Sequence, residues 1–86
     1  MRIEIGLFGA FRAHEPDARV ELEVPDGACI ADVRAALLAY GREHWSGFRE
    51  GLLQRSAFAS ERAVLRETDP VPEDARLTVL PPVGGG

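Results

Sequence analysis

The chain changes its hydrophobic period between Val24 and Ile30, and this change constrains its fold more than any other feature. Before it, apolar side chains recur at every second residue. Ile3, Ile5 and Leu7 lie on one face, with Arg2, Glu4 and Phe8 on the other, which predicts a half-buried strand over residues 2–8. Gly9 to Ala18, containing Pro16 and Asp17, reads as a connection. Val20, Leu22 and Val24 then alternate with Arg19, Glu21 and Glu23, the clearest strand pattern present, and Pro25-Asp26-Gly27 closes it with turn chemistry. From Ile30 the spacing becomes helical. Ile30, Val33, Leu37 and Tyr40 form one stripe, Ala35, Ala36 and Ala39 favour helix, and Gly41 suits the residue just past its end. Asp32 falls in the first turn, where the helix dipole favours an anion.

The second half is less regular. Residues 42–55, with Trp45, Phe48, Leu52 and Leu53, fit either a short helix or a packed loop. Weak strand patterns follow around 56–60 and 62–66. The turn-rich run Asp69-Pro70-Val71-Pro72-Glu73-Asp74 leads to a last strand at about 75–80, with Leu77 and Val79 facing one way. The order β-β-α-β-β-β implies an α+β domain. Two hairpin-like strands and a crossing helix let the last strand lie parallel to the first. That is a ubiquitin-like β-grasp: a mixed sheet, one main helix packed on one face, and a free C-terminal tail. Residues 1–80 form the expected domain and 81–86 the tail.

Eighty-six residues make one small domain with a modest core. A binding or carrier module suits that size better than a deep catalytic cavity. Ten basic against fourteen acidic residues give a net charge of −4, the wrong sign for neutralising nucleic-acid phosphates. No apolar run approaches the roughly 20 residues that span a bilayer, and Met1-Arg2-Ile3-Glu4-Ile5 lacks a signal-peptide block. One cysteine, Cys29, excludes an internal disulfide framework. A cytoplasmic protein without nucleic-acid or membrane partners is the expectation.

Leu80-Pro81-Pro82-Val83-Gly84-Gly85-Gly86 is the most unusual stretch. Two prolines stiffen the exit from the sheet toward polyproline II, and three glycines remove every β-carbon near the end. Six extended residues from Pro81 reach roughly 20 Å, enough to enter a narrow channel of another protein with the Gly86 carboxylate leading. An unhindered glycine carboxylate is open to attack on the α-phosphate of ATP, giving an acyl-adenylate that sulfur or nitrogen nucleophiles can open. The competing reading is an ordinary frayed terminus.

Pro81-Pro82-Val83-Gly84-Gly85-Gly86, closing a chain of this length, resembles the end of the MoaD/ThiS family of sulfur carriers, and within it the MoaD branch, the small subunits of molybdopterin synthase. Phe8-Gly9-Ala10-Phe11-Arg12 resembles the Phe-x-x-x-Arg after the family's first strand. Ile30 to Leu37 is similar to its helix, and Glu73-Asp74-Ala75-Arg76-Leu77 to its approach to the last strand. The resemblance implies that an E1-like adenylating enzyme of the MoeB/ThiF type uses ATP and Mg²⁺ to activate Gly86. A sulfur donor protein then converts the carboxylate to a thiocarboxylate. Pro81, Pro82, Val83, Gly84 and Gly85 would insert into a larger subunit of the MoaE type, which passes the sulfur to the molybdopterin precursor. On that reading the chain is not an enzyme by itself and binds no cofactor tightly. Alternatives are a carrier for thiamine, cysteine or another sulfur metabolite, a ubiquitin-like modifier conjugated through Gly86, or a binding module with an inert tail. The chain departs from the family at Ala13, where an acid is frequent, at Ser60, near a frequent Asn, and in a longer segment at 41–55. At Cys29, a Ser or Thr cap is usual, so a weakened helix start is expected there.

The alternation also predicts a docking face. Phe8 and Leu80 turn outward if Leu7 and Val79 turn inward, so neighbouring first and last strands would place an apolar patch at the tail's base. Arg12 is a further candidate, able to engage a partner acid. Cys29 reads as a small half-buried residue, and Trp45 with Phe48 as core. His14 and His44 lack metal-ligand spacing. Glu43, Glu50 and Glu61 have no evident catalytic companion, and no phosphate-binding loop is present.

Overall fold

The computed structural model describes residues 1–82. Strand β1 (Arg2–Leu7) is followed by a 3₁₀ helix (Gly9–His14) and β2 (Arg19–Glu23). Helices α1 (Ile30–His44) and α2 (Glu50–Gln54) come next, then β3 (Ala57–Ala59), β4 (Val64–Leu65) and β5 (Arg76–Leu80). The sheet order is β2-β1-β5-β3-β4. All pairs are antiparallel except β1 with β5, the parallel pair that the crossover through α1 requires. This is the expected β-grasp.

Register follows the hydrophobic pattern. Ile3 opposes Leu22 and Ile5 opposes Val20 across β1 and β2. Ile5 pairs with Leu77, and Leu7 with Val79, across β1 and β5. Each of these side chains is buried, so a slip of one residue would turn the whole set toward water. Ile30, Val33 and Leu37 of α1 close over that face, with Phe58 and Leu53 beside them.

Four expectations need correction. Helix α1 does not stop before Gly41 but runs on to His44, with Gly41 buried in its last turns. A β-carbon at Gly41 would lie 2.7 Å from a ring carbon of Phe48, so the missing side chain seats an aromatic ring against the helix backbone. That packing offsets a helix-propensity cost of about 1 kcal/mol. The connection after β1 is partly helical, because the 3₁₀ turn buries Phe11 in the core. The start of α1 is not left uncapped by Cys29: Cys29 and Asp32 form a capping box, in which the Asp32 carboxylate accepts the Cys29 N–H at 3.0 Å and its S–H at 3.4 Å. The ambiguous segment resolves into a turn around Phe48 and the short helix α2, which buries Leu52 and Leu53. Strands β3 and β4 cover less than the expected 56–60 and 62–66.

A single arginine ties these later elements to α1. Arg34 donates to the backbone oxygens of Leu53 at 2.7 Å and Ser56 at 2.8 Å. Its other nitrogens grip Glu67 at 2.9 and 2.6 Å, and its guanidinium lies 5.0 Å from the ring centre of Phe58. The hydrogen bond from Arg34 holds the Glu67 carboxyl below its usual range, opposed by partial desolvation.

Candidate functional site

Strand β5 lies between β1 and β3 and delivers the tail at the end of the sheet where β1 finishes. Leu7 and Val79 are the last partners there; one residue further on, the same register sets Phe8 beside Leu80. Phe8 is 55% exposed, one of only a few large apolar side chains so open among the described residues. Leu80 is half-buried, held on its other edge by pairing with Ala57 of β3. Of the two, Phe8 is the more open.

Pro81 packs against the turn that follows β1. Gly9 adopts φ +60°, and a β-carbon on it would meet Pro81 Cγ at 2.7 Å. Glycine is required there both by backbone conformation and by space. Below this contact lies a shallow groove of about 260 Å³ lined by Gly9, Ala10, Arg49, Leu52, Arg55, Pro81 and Pro82. Its floor is apolar and its two charged walls are both arginines. Arg12 is exposed on the neighbouring 3₁₀ helix. Of the expected site residues, Phe8, Leu80, Pro81 and Pro82 lie where β1 and β5 end, Arg12 is exposed on the 3₁₀ helix that follows β1, and Val83, Gly84, Gly85 and Gly86 lie outside the described residues. Sequence reasoning missed Arg49 and Arg55. Their six-residue separation brackets α2, and with residues 42–55 unassigned nothing placed them beside the prolines.

The 3₁₀ helix that carries Arg12 is anchored by an aromatic cluster. Trp45 is buried, and its indole N–H donates to Glu15 Oε2 at 2.8 Å, while the Tyr40 hydroxyl donates to the same oxygen at 3.3 Å. His14 stacks on Trp45 with centroids 4.6 Å apart and planes within 5°, and Phe48 meets Trp45 edge-on. Desolvation, then the Glu15 charge, pushes the Tyr40 phenol above its ordinary value. Trp45 and Phe48 thus pack as core. His44 rests against Tyr40, and Cys29 sits half-buried in a bridge to Pro70. Glu50 is bound by Arg42 at 2.7 Å, a hydrogen bond that lowers its carboxyl pKa. Among the described residues no three metal-ligating side chains come together, and no helix is long and apolar enough to cross a membrane.

A mixed five-stranded sheet with one main helix across it is a ubiquitin-like β-grasp domain. The chain belongs to the ThiS family, whose profile matches residues 5–86. The ubiquitin-like carriers of this family work with E1-like activating enzymes. The fold is similar to that of SAMP1 from Haloferax volcanii, with a TM-score of 0.69, 17% identity and 100% of both chains covered. A comparison with curated proteins returns no match.

Proposed function

We propose that this chain is a sulfur carrier whose Gly86 carboxylate is adenylated and then converted to a thiocarboxylate, donating sulfur as the small subunit of a molybdopterin synthase. The observation that carries the carrier chemistry is that the family match extends to residue 86, so the glycine end is part of what the chain shares with its family. The finer assignment rests on the Pro81-Pro82 exit and on the chain's length, the features that lean toward the MoaD branch. On this reading an E1-like enzyme of the MoeB/ThiF type brings ATP and Mg²⁺, a donor protein brings sulfur, and a MoaE-type subunit receives the tail. The carrier itself supplies one reactive carboxylate and a docking face.

The test is intact mass after co-expression with each E1-like enzyme of the same genome, for wild type, Cys29→Ser and a Gly86 deletion. One oxygen-to-sulfur exchange, kept in Cys29→Ser and lost in the deletion, is the expected result. Covalent high-mass conjugates instead would make the chain a protein modifier, and no change with a competent enzyme would make the tail inert. The co-expressed enzyme that produces the exchange identifies the pathway and separates the molybdopterin assignment from thiamine or cysteine synthesis.

A further inference from the structure

The groove beside Pro81 and Pro82 carries charge that the rest of the fold does not neutralise. Three of the ten arginines form ion pairs among the described residues. Arg2 faces Glu21 and Glu23, Arg34 grips Glu67, and Arg42 binds Glu50. Among the others, Arg49 and Arg55 stand together in one groove beside the prolines. Both are exposed, both line the groove, no acid lines it with them, and among the described residues neither forms an ion pair. The contrast with the far end of β5 is sharp. There a groove of about 350 Å³ is lined by Ser60, Glu61, Arg62, Pro72, Glu73 and Asp74, three carboxylates to one guanidinium. In a chain of net charge −4, the groove beside Pro81 and Pro82 thus holds two arginines and no acid.

We propose that Arg49 and Arg55 form a docking site for a carboxylate-lined rim on the activating enzyme, at the mouth of the channel that takes the tail. This rests on the carrier reading above and adds to it the chemistry of the partner's surface. Three features fit that occupant. The charges flank the point where the tail must pass into the partner, so pairing them also aligns Pro81 and Pro82. The floor of Leu52, Ala10 and the prolines offers the apolar centre that interfaces place inside a charged rim. The cations are also of one kind: all ten basic side chains in the sequence are arginines, and there is no lysine. A guanidinium binds carboxylates in a two-pronged fashion and stays protonated. It can therefore stand beside an activated acyl group without being acylated, whereas a lysine amine there would compete for the acyl carbon.

The experiment titrates the full chain against the purified E1-like enzyme at low and at high salt, and measures the rate of ATP-dependent adenylation. Wild type is compared with Arg49→Ala/Arg55→Ala and with Arg49→Lys/Arg55→Lys. The alanine pair is expected to weaken binding about ten-fold at low salt, with the gap closing at high salt as screening removes the wild-type advantage. The lysine pair keeps its charges and should retain most of the salt dependence. Unchanged melting of both variants confirms that the fold is intact. Equal affinity and equal salt dependence for wild type and the alanine pair would overturn the proposal while leaving the carrier reading standing. Equal loss in the alanine and lysine pairs would also overturn it, because charge would then not be what binds. A wild type that no E1-like enzyme adenylates removes the carrier reading itself, and the proposal with it.

Discussion

Gly9 and Pro81 occupy one shared space: the proline ring lies where a β-carbon on Gly9 would be, 2.7 Å from it, and Gly9 holds φ +60°. The turn after β1 and the exit from β5 are therefore set against each other. Gly9→Ala must relax a left-handed backbone and displace the ring, and is expected to cost about 1–3 kcal/mol. It should also slow adenylation by moving the tail's base. Urea unfolding and initial rates of pyrophosphate release check this; a variant as stable and as fast as wild type would show that the contact places nothing.

Phe8 exposes 55% of its surface at the end of β1. Phe8→Ala should change stability by no more than about 0.5 kcal/mol, as for other exposed positions. If the side chain docks on the partner, its removal should weaken that complex by about five-fold or more. Calorimetric titration alongside thermal melting separates the two effects, and a large drop in melting temperature would mean that Phe8 serves the fold.

Arg34 makes four hydrogen bonds to three residues of the chain's second half. Arg34→Ala leaves two backbone oxygens and a carboxylate without this partner, and should destabilise by about 2–4 kcal/mol. Glu67 gives the linkage a sign. Its carboxyl is lowered in the fold by the Arg34 hydrogen bond, so its contribution is complete above the unfolded carboxylate range and disappears as pH falls through the lowered folded value. Denaturation midpoints of wild type and Glu67→Gln should thus differ at neutral pH and converge in acid. A gap that widens on acidification would contradict the pairing.

Glu15 accepts hydrogen bonds from both Trp45 and Tyr40. Glu15→Ala strands a buried indole N–H, with an expected loss of about 1–3 kcal/mol. The Tyr40 phenol, raised by desolvation and by the Glu15 charge, should then titrate closer to its ordinary value. In wild type the raised phenol means that stability held at neutral pH is lost as pH climbs through the folded-state value. Ultraviolet titration of the tyrosinate band in wild type and variant tests both statements.

The strands and the main helix were legible because burial on one face enforces period two in β1, β2 and β5 and a helical stripe from Ile30 to Leu37. Phe8 and Leu80 followed from the same alternation. What stayed hidden depended on contacts distant in sequence. Gly41 carries the local signature of a helix end, and only Phe48 packing on it explains why α1 continues. Arg49 and Arg55 come to line the groove beside the prolines through the fold of a segment whose apolar spacing suits two structures equally. Asp32, noted for the helix dipole, proved to be the residue that caps Cys29.

The position of β5 has a mechanical consequence. A partner that grips the tail and draws on it pulls along the strand axis, and β5 is bonded to β1 on one side and to β3 on the other. Traction is therefore resisted in shear by two ladders at once, not by peeling one bond at a time from a free edge. Were a partner to draw on the end of β5, the domain behind it would hold as a cable holds when clamped along its length.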